Sequence, residues 1–292
     1  MNVVVLMGVD NEEREISLKS GRAVANALSK HQCHLIDVMD STWLESVLNL
    51  QPDCVFLALH GQGGEDGEIQ KLLEQHNICY TGSDEIASRL CMDKMATIAR
   101  VREAGYLVAE SYLWDHEPYC EYEFPVVVKP NCSGSSVAVR IVHDGDEFIQ
   151  ACHEASEYGD VMIEQFIKGK DLTVPIVEGL RLSPIAIEPN SEYYDYFAKY
   201  QDSSTRYIVG ANMDESLLNA LIDDAENIFY ELGCRHWGRA DFMLTEDGQW
   251  YFLEMNTIPG MTATSLVPKS AAHCGMSFTD LVEHIIQQAI LR

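Results

Sequence analysis

Long apolar runs are missing from this 292-residue sequence, and so is an excess of positive charge. No stretch approaches the ~18 apolar residues that a membrane-spanning helix needs. The 46 acidic residues outnumber the 20 basic ones, which gives a formal net charge of −26. A surface this negative repels nucleic acid and anionic lipid, because both are bound through basic patches. We therefore expect neither a nucleic acid nor a membrane as a partner.

Paired cysteines are also absent. The nine cysteines are irregularly spaced and form no CxxC pair. Such a pattern favours reduced thiols in the cytoplasm over a disulfide framework. The first residues, MNVVVLMGVD, have no basic segment before their short apolar run, so they predict a strand rather than a signal peptide. We therefore expect a cytoplasmic location.

Strands and helices alternate in the first part of the chain. Strands are predicted at residues 2–7, 33–38 and 54–59. With helices between them, this order is typical of a parallel sheet covered by helices. From about residue 89 a helix leads to short strands, and from residue 172 strands, a polar segment and two helices follow. We predict an α/β (α+β) fold in three units, residues 1–88, 89–171 and 172–292.

The stretch GRADFMLTEDGQWYFLEMNTIPG, residues 238–260, predicts a β-hairpin. Asp247-Gly248 is a strong turn signal, and a two- or four-residue loop there sets the pairing of the strands. Side chains alternate between the faces of a strand, so one face would carry four polar residues. The pairs on that face are Asp241 with Glu254 and Arg239 with Asn256. The pairs on the apolar face are Ala240 with Met255, Phe242 with Leu253 and Leu244 with Tyr251.

The two facing carboxylates need a positive partner. At about 5 Å they would repel by ~3 kcal/mol at an effective dielectric of 20. Arg239 could offset that repulsion in an ion-pair cluster, which is one interpretation. The other is a hard divalent cation, because two carboxylates and an amide oxygen suit Mg²⁺ or Mn²⁺ rather than zinc. Since magnesium usually completes its shell with water and phosphate oxygens, the second interpretation predicts a nucleotide.

Phosphate-binding residues must then be found outside a Walker loop, since no GxxxxGK[ST] motif occurs. The stretch FPVVVKPNCSGSSVAVRIV predicts a hairpin with a loop of small residues after Lys129. Such a loop can cover phosphates with its N–H groups and hydroxyls, while Lys129 supplies a charge. A plain hairpin with a solvated lysine is the alternative. After IEQF, the end of a strand could bind a purine, and Asp171 could hold ribose hydroxyls.

Taken together, these segments resemble the D-alanine–D-alanine ligases of the ATP-grasp superfamily. The matching motifs are EREISL (13–18), ALHGQGGEDG (58–67), YTGS (80–83), MDK (92–94), VVKP…GSS, IEQF, YDYFAKY (194–200), GRADFML and LEMNTIPGMTATSLVP (253–268). They cover nearly the whole chain in the family's order. The resemblance implies an N-terminal α/β domain followed by a two-part ATP-grasp fold. It also implies ATP-dependent joining of two D-alanines through an acylphosphate, for peptidoglycan synthesis.

The resemblance further implies a role for each matching residue. The metal ligands would be Asp241, Glu254 and Asn256, holding two Mg²⁺ or Mn²⁺ ions. The catalytic residues would be Glu13, Ser135, Tyr200, Arg239 and Gly260. The ATP-binding residues would be Lys94, Lys129, Ser136, Glu164, Gln165, Phe166, Ile167, Asp171 and Lys199. Ser265 and Leu266 would hold the second substrate's carboxylate, and His60 would lie near the substrates. A homodimer is implied in the same way.

Some of these assignments have alternatives. Glu13 could simply favour the N-terminus of a helix, and His60 could cap the third strand. The departures from the family's usual pattern are Val9, Cys132, Ser133, Gln165, Asp171 and Phe197. They keep open a ligase that joins D-alanine to another D-amino or hydroxy acid. A non-catalytic nucleotide-binding homologue is the third hypothesis. Tyr200 favours a dipeptide product, since family members that form esters tend to replace it.

Overall fold

The structure, a computed structural model, describes residues 1–134, 137–188 and 205–291. Within these ranges the chain forms three β-sheets with helices packed against them, so the predicted mixed α/β class is confirmed. None of the helices in the described ranges is both long and apolar enough to cross a membrane.

The first sheet is parallel and lies at the N-terminus. Its strands are β1 (Asn2–Met7), β2 (Gln32–Asp37) and β3 (Cys54–Leu57), in the order β2-β1-β3. The helices of this unit are α1 (Arg14–Ala27), α2 (Trp43–Leu50) and α3 (Glu68–Gln75). Residues 3–6 of the central strand are fully buried. That burial explains their unbroken apolar run, which is usual for a parallel strand covered on both faces.

Two short helices lead from this unit to a second sheet. The helices α4 (Glu85–Met92) and α5 (Lys94–Glu103) are each capped by an aspartate, Asp84 and Asp93, which accepts a backbone N–H of the first turn. The second sheet is antiparallel, in the order β4-β7-β5-β6. Its strands are β4 (Ser111–Leu113), β5 (Val126–Pro130), β6 (Arg140–Val142) and β7 (Val161–Gln165), and α6 (Gly145–Ser156) packs against it.

The third sheet is also antiparallel, in the order β10-β9-β8-β11-β12. Its strands are β8 (Lys170–Val177), β9 (Ile185–Glu188), β10 (Arg206–Val209), β11 (Trp237–Leu244) and β12 (Trp250–Asn256). Helix α7 (Glu215–Glu231) packs on this sheet. The last helices, α8 (Leu266–His273) and α9 (Phe278–Ile290), instead share a core with the N-terminal sheet. The chain therefore returns to its first unit, and residues 258–265 lie beside it.

The turn of the β11–β12 hairpin differs from the prediction. The Thr245 N–H donates to the Gln249 carbonyl at 2.8 Å, so a three-residue loop, 246–248, joins the strands. Gly248 has a φ of +84°, the left-handed conformation that such a loop needs and that glycine adopts at little cost. A three-residue loop shifts the pairing next to the turn by one residue. The observed pairs there are Phe242 with Phe252 and Leu244 with Trp250, so the predicted pairs with Leu253 and Tyr251 are wrong.

A β-bulge restores the predicted register farther from the turn. The pairing shifts between Asp241 and Phe242, which leaves Leu253 as the extra residue of β12. Beyond the bulge, Asp241 faces Glu254, and Arg239 faces Asn256, as predicted. The extra residue Leu253 and its neighbour Glu254 both line one cavity. The two polar pairs are therefore as predicted, although the predicted turn is wrong.

Candidate active site

Two adjoining cavities contain most of the described residues to which a role was assigned. We call the first the inner cavity, of about 350 Å³, whose walls include Glu13, His60, Glu65, Arg239, Asn256, Gly260, Ser265 and Leu266. We call the second the outer cavity, of about 490 Å³, whose walls include Lys129, Glu164, Gln165, Phe166, Ile167, Asp171, Asp241 and Leu253. Lys94, Ser133 and Glu254 belong to both. These three residues form the shared wall of the site.

The polar face of the hairpin forms one side of the site. Asp241 accepts two hydrogen bonds from Arg239, at 2.9 Å from Nε and 2.6 Å from Nη2, and a third at 2.5 Å from the Thr173 hydroxyl. Thr173 reaches it because β8 pairs with β11 so that the two residues face each other. The bonds from Arg239 are an ion pair of the kind that the first interpretation predicts. A carboxylate has about four lone-pair sites, so these bonds leave Asp241 able to bind a cation.

The other two predicted metal ligands lie on the paired strand, Glu254 opposite Asp241 and Asn256 opposite Arg239. The Glu254 carboxylate lies 3.9 Å from the Lys94 ammonium, and the Asn256 side-chain oxygen accepts the Ile258 N–H at 3.2 Å. Within the described ranges, no group of three or more histidines, cysteines and acids is arranged to hold a metal ion. The candidate set consists of two carboxylates and one amide, hard donors that fit Mg²⁺ or Mn²⁺. The metal assignment stays a prediction.

Two buried lysines supply positive charge along the outer cavity. The Lys129 ammonium lies 2.8 Å from a carboxylate oxygen of Glu164, and the two residues are 8% and 3% exposed. The Lys94 ammonium donates to the Ser133 carbonyl at 2.5 Å and is equally buried. Lysine is seldom this buried unless it is paired. The protein therefore holds both charges in fixed positions before any ligand binds, which excludes the alternative of a solvated lysine.

The other walls of the outer cavity suit a flat heterocycle. Apolar side chains on or next to strands of both antiparallel sheets line it, namely Val127, Val139, Ile141, Leu172, Ile187 and Leu253. The predicted ATP-binding residues that follow β7, Phe166 and Ile167, lie on the same wall as Gln165. Asp171 lies on β8 at the cavity edge. Apolar walls with a few polar groups are typical of sites that bind small molecules.

His60 lies at the wall of the inner cavity and is 4% exposed. One ring nitrogen, Nδ1, donates to the Ile258 carbonyl at 2.9 Å, so Nε2 accepts the Ser20 hydroxyl at 3.0 Å. The Ser20 oxygen in turn accepts the Met261 N–H at 3.2 Å. Burial lowers the pKa of His60, which keeps the ring neutral. His60 is thus near the predicted substrate site, and its two nitrogens hold the loop around Gly260 against α1.

Glu13 faces the inner cavity just before α1 begins. A Cβ added at Gly61 would lie 2.5 Å from its Oε2, and one added at Gly134 would lie 2.9 Å away. A side chain at either glycine would displace the end of Glu13, so two loops approach this carboxylate closely. Five residues that the sequence singled out lie outside the described ranges, namely Ser135, Ser136, Phe197, Lys199 and Tyr200.

Ser265 stands at the N-terminus of α8, beside Gly260. Its hydroxyl oxygen accepts the Thr262 N–H at 3.0 Å, which fixes the loop before the helix. A Cβ added at Gly260 would lie 2.9 Å from that oxygen. The first N–H groups of a helix, including that of Leu266, have no partner within the helix and favour an anion. This geometry suits the predicted role of Ser265 and Leu266 toward a carboxylate.

Several residues that build the site were not predicted from the sequence. Ser20 and Thr173 hold His60 and Asp241, yet neither residue belongs to a recognisable pattern. Glu65 lines the inner cavity and lies within the quoted ALHGQGGEDG motif, so its motif was the available signal. Of the departures from the family pattern, Val9 is buried and Cys132 is exposed in the loop after β5.

The fold and the site define a protein of the ATP-grasp class, with a nucleotide-sized cavity between two antiparallel sheets and a second cavity beside it. Family models described as D-ala D-ala ligase N-terminus and D-ala D-ala ligase C-terminus match residues 39–83 and 101–287. The chain belongs to the D-alanine–D-alanine ligase family.

Full-length relatives support this membership. The chain is 42% identical over 300 residues to a D-alanine–D-alanine ligase of Anaeromyxobacter sp. strain Fw109-5, with 99% of this chain and 97% of the relative covered. It is 38% identical to one from Thermotoga petrophila, with 100% and 98% covered. Among solved structures, the Bacillus anthracis ligase complexed with ATP has a TM-score of 0.87 at 31% identity, covering 100% and 98%. The VanG D-Ala:D-Ser ligase of Enterococcus faecalis has a TM-score of 0.85 at 26% identity, covering 99% and 100%.

Proposed function

We propose that this protein joins two D-alanines into D-alanyl-D-alanine and converts ATP to ADP and phosphate. The observation that carries the proposal is the shared wall of the two cavities, formed by Lys94, Ser133 and Glu254. A ligase of this kind must bring the terminal phosphate of a nucleotide to the carboxylate of an amino acid. The two cavities satisfy this requirement, because they adjoin at a wall that carries the cation Lys94 and the acid Glu254. The similarity to full-length ligases of this name supports the choice of substrate.

ATP is proposed to occupy the outer cavity. The roles of Lys94 and Lys129 are supported by their burial at its walls, because a fixed cation stabilises phosphate oxygens without reorganising. The apolar side chains around Gln165 and Leu253 would contact the purine. Asp241, Glu254 and Asn256 would hold one or two Mg²⁺ or Mn²⁺ ions. When bound, such an ion neutralises phosphate charge and polarises the transferring group.

The two amino acids are proposed to occupy the inner cavity. Glu13 would bind the ammonium of the first, whose carboxylate attacks the γ-phosphorus of ATP and releases ADP. Ser265 and the Leu266 N–H would hold the carboxylate of the second. Its amine, once deprotonated, attacks the acylphosphate carbonyl, and phosphate leaves with the electrons of the broken C–O bond. Arg239 and the Gly260 N–H would stabilise the oxyanion. Loss of one such donor typically lowers the rate by a factor of about 10²–10³.

Further properties follow from the resemblance alone and remain proposals. They are a cytoplasmic location and a homodimer. Measurement of molecular mass by light scattering checks the homodimer directly.

The experiment that tests the function is a phosphate-release assay with ATP, Mg²⁺ and a panel of D- and L-amino acids and D-lactate. Products are identified by mass spectrometry. Turnover with D-alanine alone, giving the dipeptide, supports the proposal. Turnover only with a mixed pair, such as D-alanine and D-serine, would replace it with a ligase of different specificity. Nucleotide binding without turnover for any pair would favour a non-catalytic homologue.

A further inference from the structure

Glu65 is a shielded carboxyl at the wall of the inner cavity that none of the proposed steps uses. Its side chain folds back over the glycine-rich segment between β3 and α3, where Oε2 accepts the Gly61 N–H at 3.1 Å. The backbone closes the same loop, since the Glu65 N–H donates to the Gly61 carbonyl at 2.9 Å. The second oxygen, Oε1, is shielded from solvent and has no hydrogen-bond partner.

Glu65 and Glu13 both approach Gly61 closely. A Cβ at Gly61 would lie 2.5 Å from the Oε2 of Glu13, while the N–H of the same glycine binds Glu65. The other charged groups that act on Glu65 are Arg239, which directs two donors at Asp241, and Glu254. Burial, and then the charge of Glu13, raise the pKa of Glu65 well above its usual value. Without a ligand, this carboxyl therefore tends to hold a proton.

A shielded carboxyl oxygen without a partner lowers stability unless a bound group satisfies it. Once the Glu65 carboxyl is ionised, both of its oxygens are acceptors, so the missing partner must then be a donor, and beside a second carboxylate a cationic donor is favoured. An ammonium group fits because it carries three N–H donors and one positive charge. A single carboxylate on one side would leave donors of a buried ammonium unsatisfied.

We propose that Glu65 is the second carboxyl of the ammonium subsite, so that the first D-amino acid is bound through its amino group between Glu13 and the Oε1 of Glu65. The inference rests on the proposed function and adds a residue that determines specificity. On binding, the Glu65 carboxyl gives its proton to solvent and pairs with the ammonium as a carboxylate. The subsite then selects an amino acid over a hydroxy acid at this position, because a hydroxyl brings no charge to two facing carboxyls.

The first test is the kinetics of the Glu65→Gln variant. Glutamine keeps the oxygen that accepts the Gly61 N–H, so the loop retains its shape, but the charge is lost. We expect the KM of the first D-alanine to rise about 10- to 100-fold, the range for losing a charged hydrogen bond, with kcat and the KM of ATP changed less than about threefold. Glu68→Gln is the matched control, since Glu68 is an exposed acid three residues away whose partner is the surface residue Arg89.

The second test measures proton release. D-alanine is titrated calorimetrically into the protein with Mg²⁺ and a non-hydrolysable ATP analogue, in buffers of different ionisation enthalpy near neutral pH. The wild type should release a proton on binding, and Glu65→Gln should not. The affinity of the wild type should therefore rise with pH until the amino group of the ligand itself deprotonates.

Three results would overturn the inference: an unchanged KM for D-alanine in Glu65→Gln, equal proton release in the two proteins, or a rise confined to the KM of ATP. If Glu65→Gln fails to fold, the proton release of the wild type decides, because its absence overturns the inference by itself. Failure of the wild type to ligate any amino acid would instead refute the proposed function.

Discussion

Replacing Glu254 with glutamine separates the metal interpretation of the polar face from the ion-pair interpretation. If the residue is a metal ligand, the variant should fold normally and lose turnover. If Glu254 serves only within an ion-pair cluster, the variant should keep most of its activity. The expected change in stability without ligands follows from the neighbours of this carboxylate.

Two opposing interactions act on Glu254 in the ligand-free protein. Facing Asp241 at about 5 Å, it is repelled by ~3 kcal/mol at an effective dielectric of 20, and Lys94 at 3.9 Å attracts it to a similar extent. The side chain is 34% exposed, so solvent reduces each interaction to about 1 kcal/mol or less. Because the two have opposite signs, the apparent Tm of Glu254→Gln should stay within about 3 °C of the wild type.

The ligand-bound protein should behave differently. At 100 times its Kd, a Mg²⁺–nucleotide complex stabilises the protein that binds it by about 2.7 kcal/mol. Glu254→Gln should lose most of that gain, and its turnover should fall at least ~10²-fold, as when a direct electrostatic stabiliser is removed. Thermal unfolding with and without Mg²⁺ and a non-hydrolysable ATP analogue measures the first effect, and phosphate release measures the second.

The control is Glu246→Gln, which removes an exposed acid from the turn of the same hairpin. It should match the wild type in both assays. Retention of most activity by Glu254→Gln, together with an undiminished Mg²⁺-dependent rise in Tm, would refute the metal assignment. It would leave the ion-pair interpretation in its place.

Further predictions concern the bulge, the buried ion pair and His60. Leu253→Ala should raise the KM of ATP about 10-fold and lower stability by less than about 1 kcal/mol, whereas Phe252→Ala, in the core, should cost ~3–5 kcal/mol. The reverse ranking in urea unfolding would contradict the bulge. Lys129→Met should cost ~3–5 kcal/mol, because it leaves the Glu164 charge buried and unpaired. Adding Glu164→Leu should recover most of this stability but not ATP affinity, and a double variant that binds ATP normally would refute the role of Lys129. The lowered pKa of His60 means that the unfolded chain takes up a proton below about pH 6.5 while the folded chain does not. This contribution to stability is present above that pH and is lost as the pH falls. The free energy of unfolding of His60→Gln, measured by denaturation at several pH values, should therefore fall less steeply between about pH 7 and 5 than that of the wild type. An unchanged slope would show that His60 is not the titrating group.

Local patterns were sufficient to predict the elements that depend on neighbouring residues. The buried strand β1 was evident from its apolar run, and the hairpin from two alternating segments around a glycine turn. The facing of Asp241 and Glu254 was also predicted, although from a turn that the structure corrects, because the bulge at Leu253 offsets the three-residue loop. These features depend on residues that are close together in the sequence. Over such short distances the covalent geometry of the chain allows few backbone conformations.

The turn and bulge of the hairpin were decided by packing. A three-residue loop alone would have moved Glu254 away from Asp241, and the bulge at Leu253 compensates for it. The bulge leaves Leu253 at the outer cavity while Phe252 enters the core, fully buried, with its ring 5.7 Å from that of Phe242. Which residue of a strand becomes the extra one depends on the volume available on each face, and a single sequence does not specify that volume.

The sequence by itself determined the N-terminal parallel sheet, the polar face of the hairpin and, through its motifs, the family. The tertiary structure decided which distant residues meet: Ser20 with His60, Thr173 with Asp241, and Glu65 with Glu13 across Gly61. It also decided that the last two helices pack on the first sheet, which places Gly260 and Ser265 at the inner cavity. The physical reason is that such contacts arise from burying apolar surface shared by separate segments, and only the folded chain defines that surface.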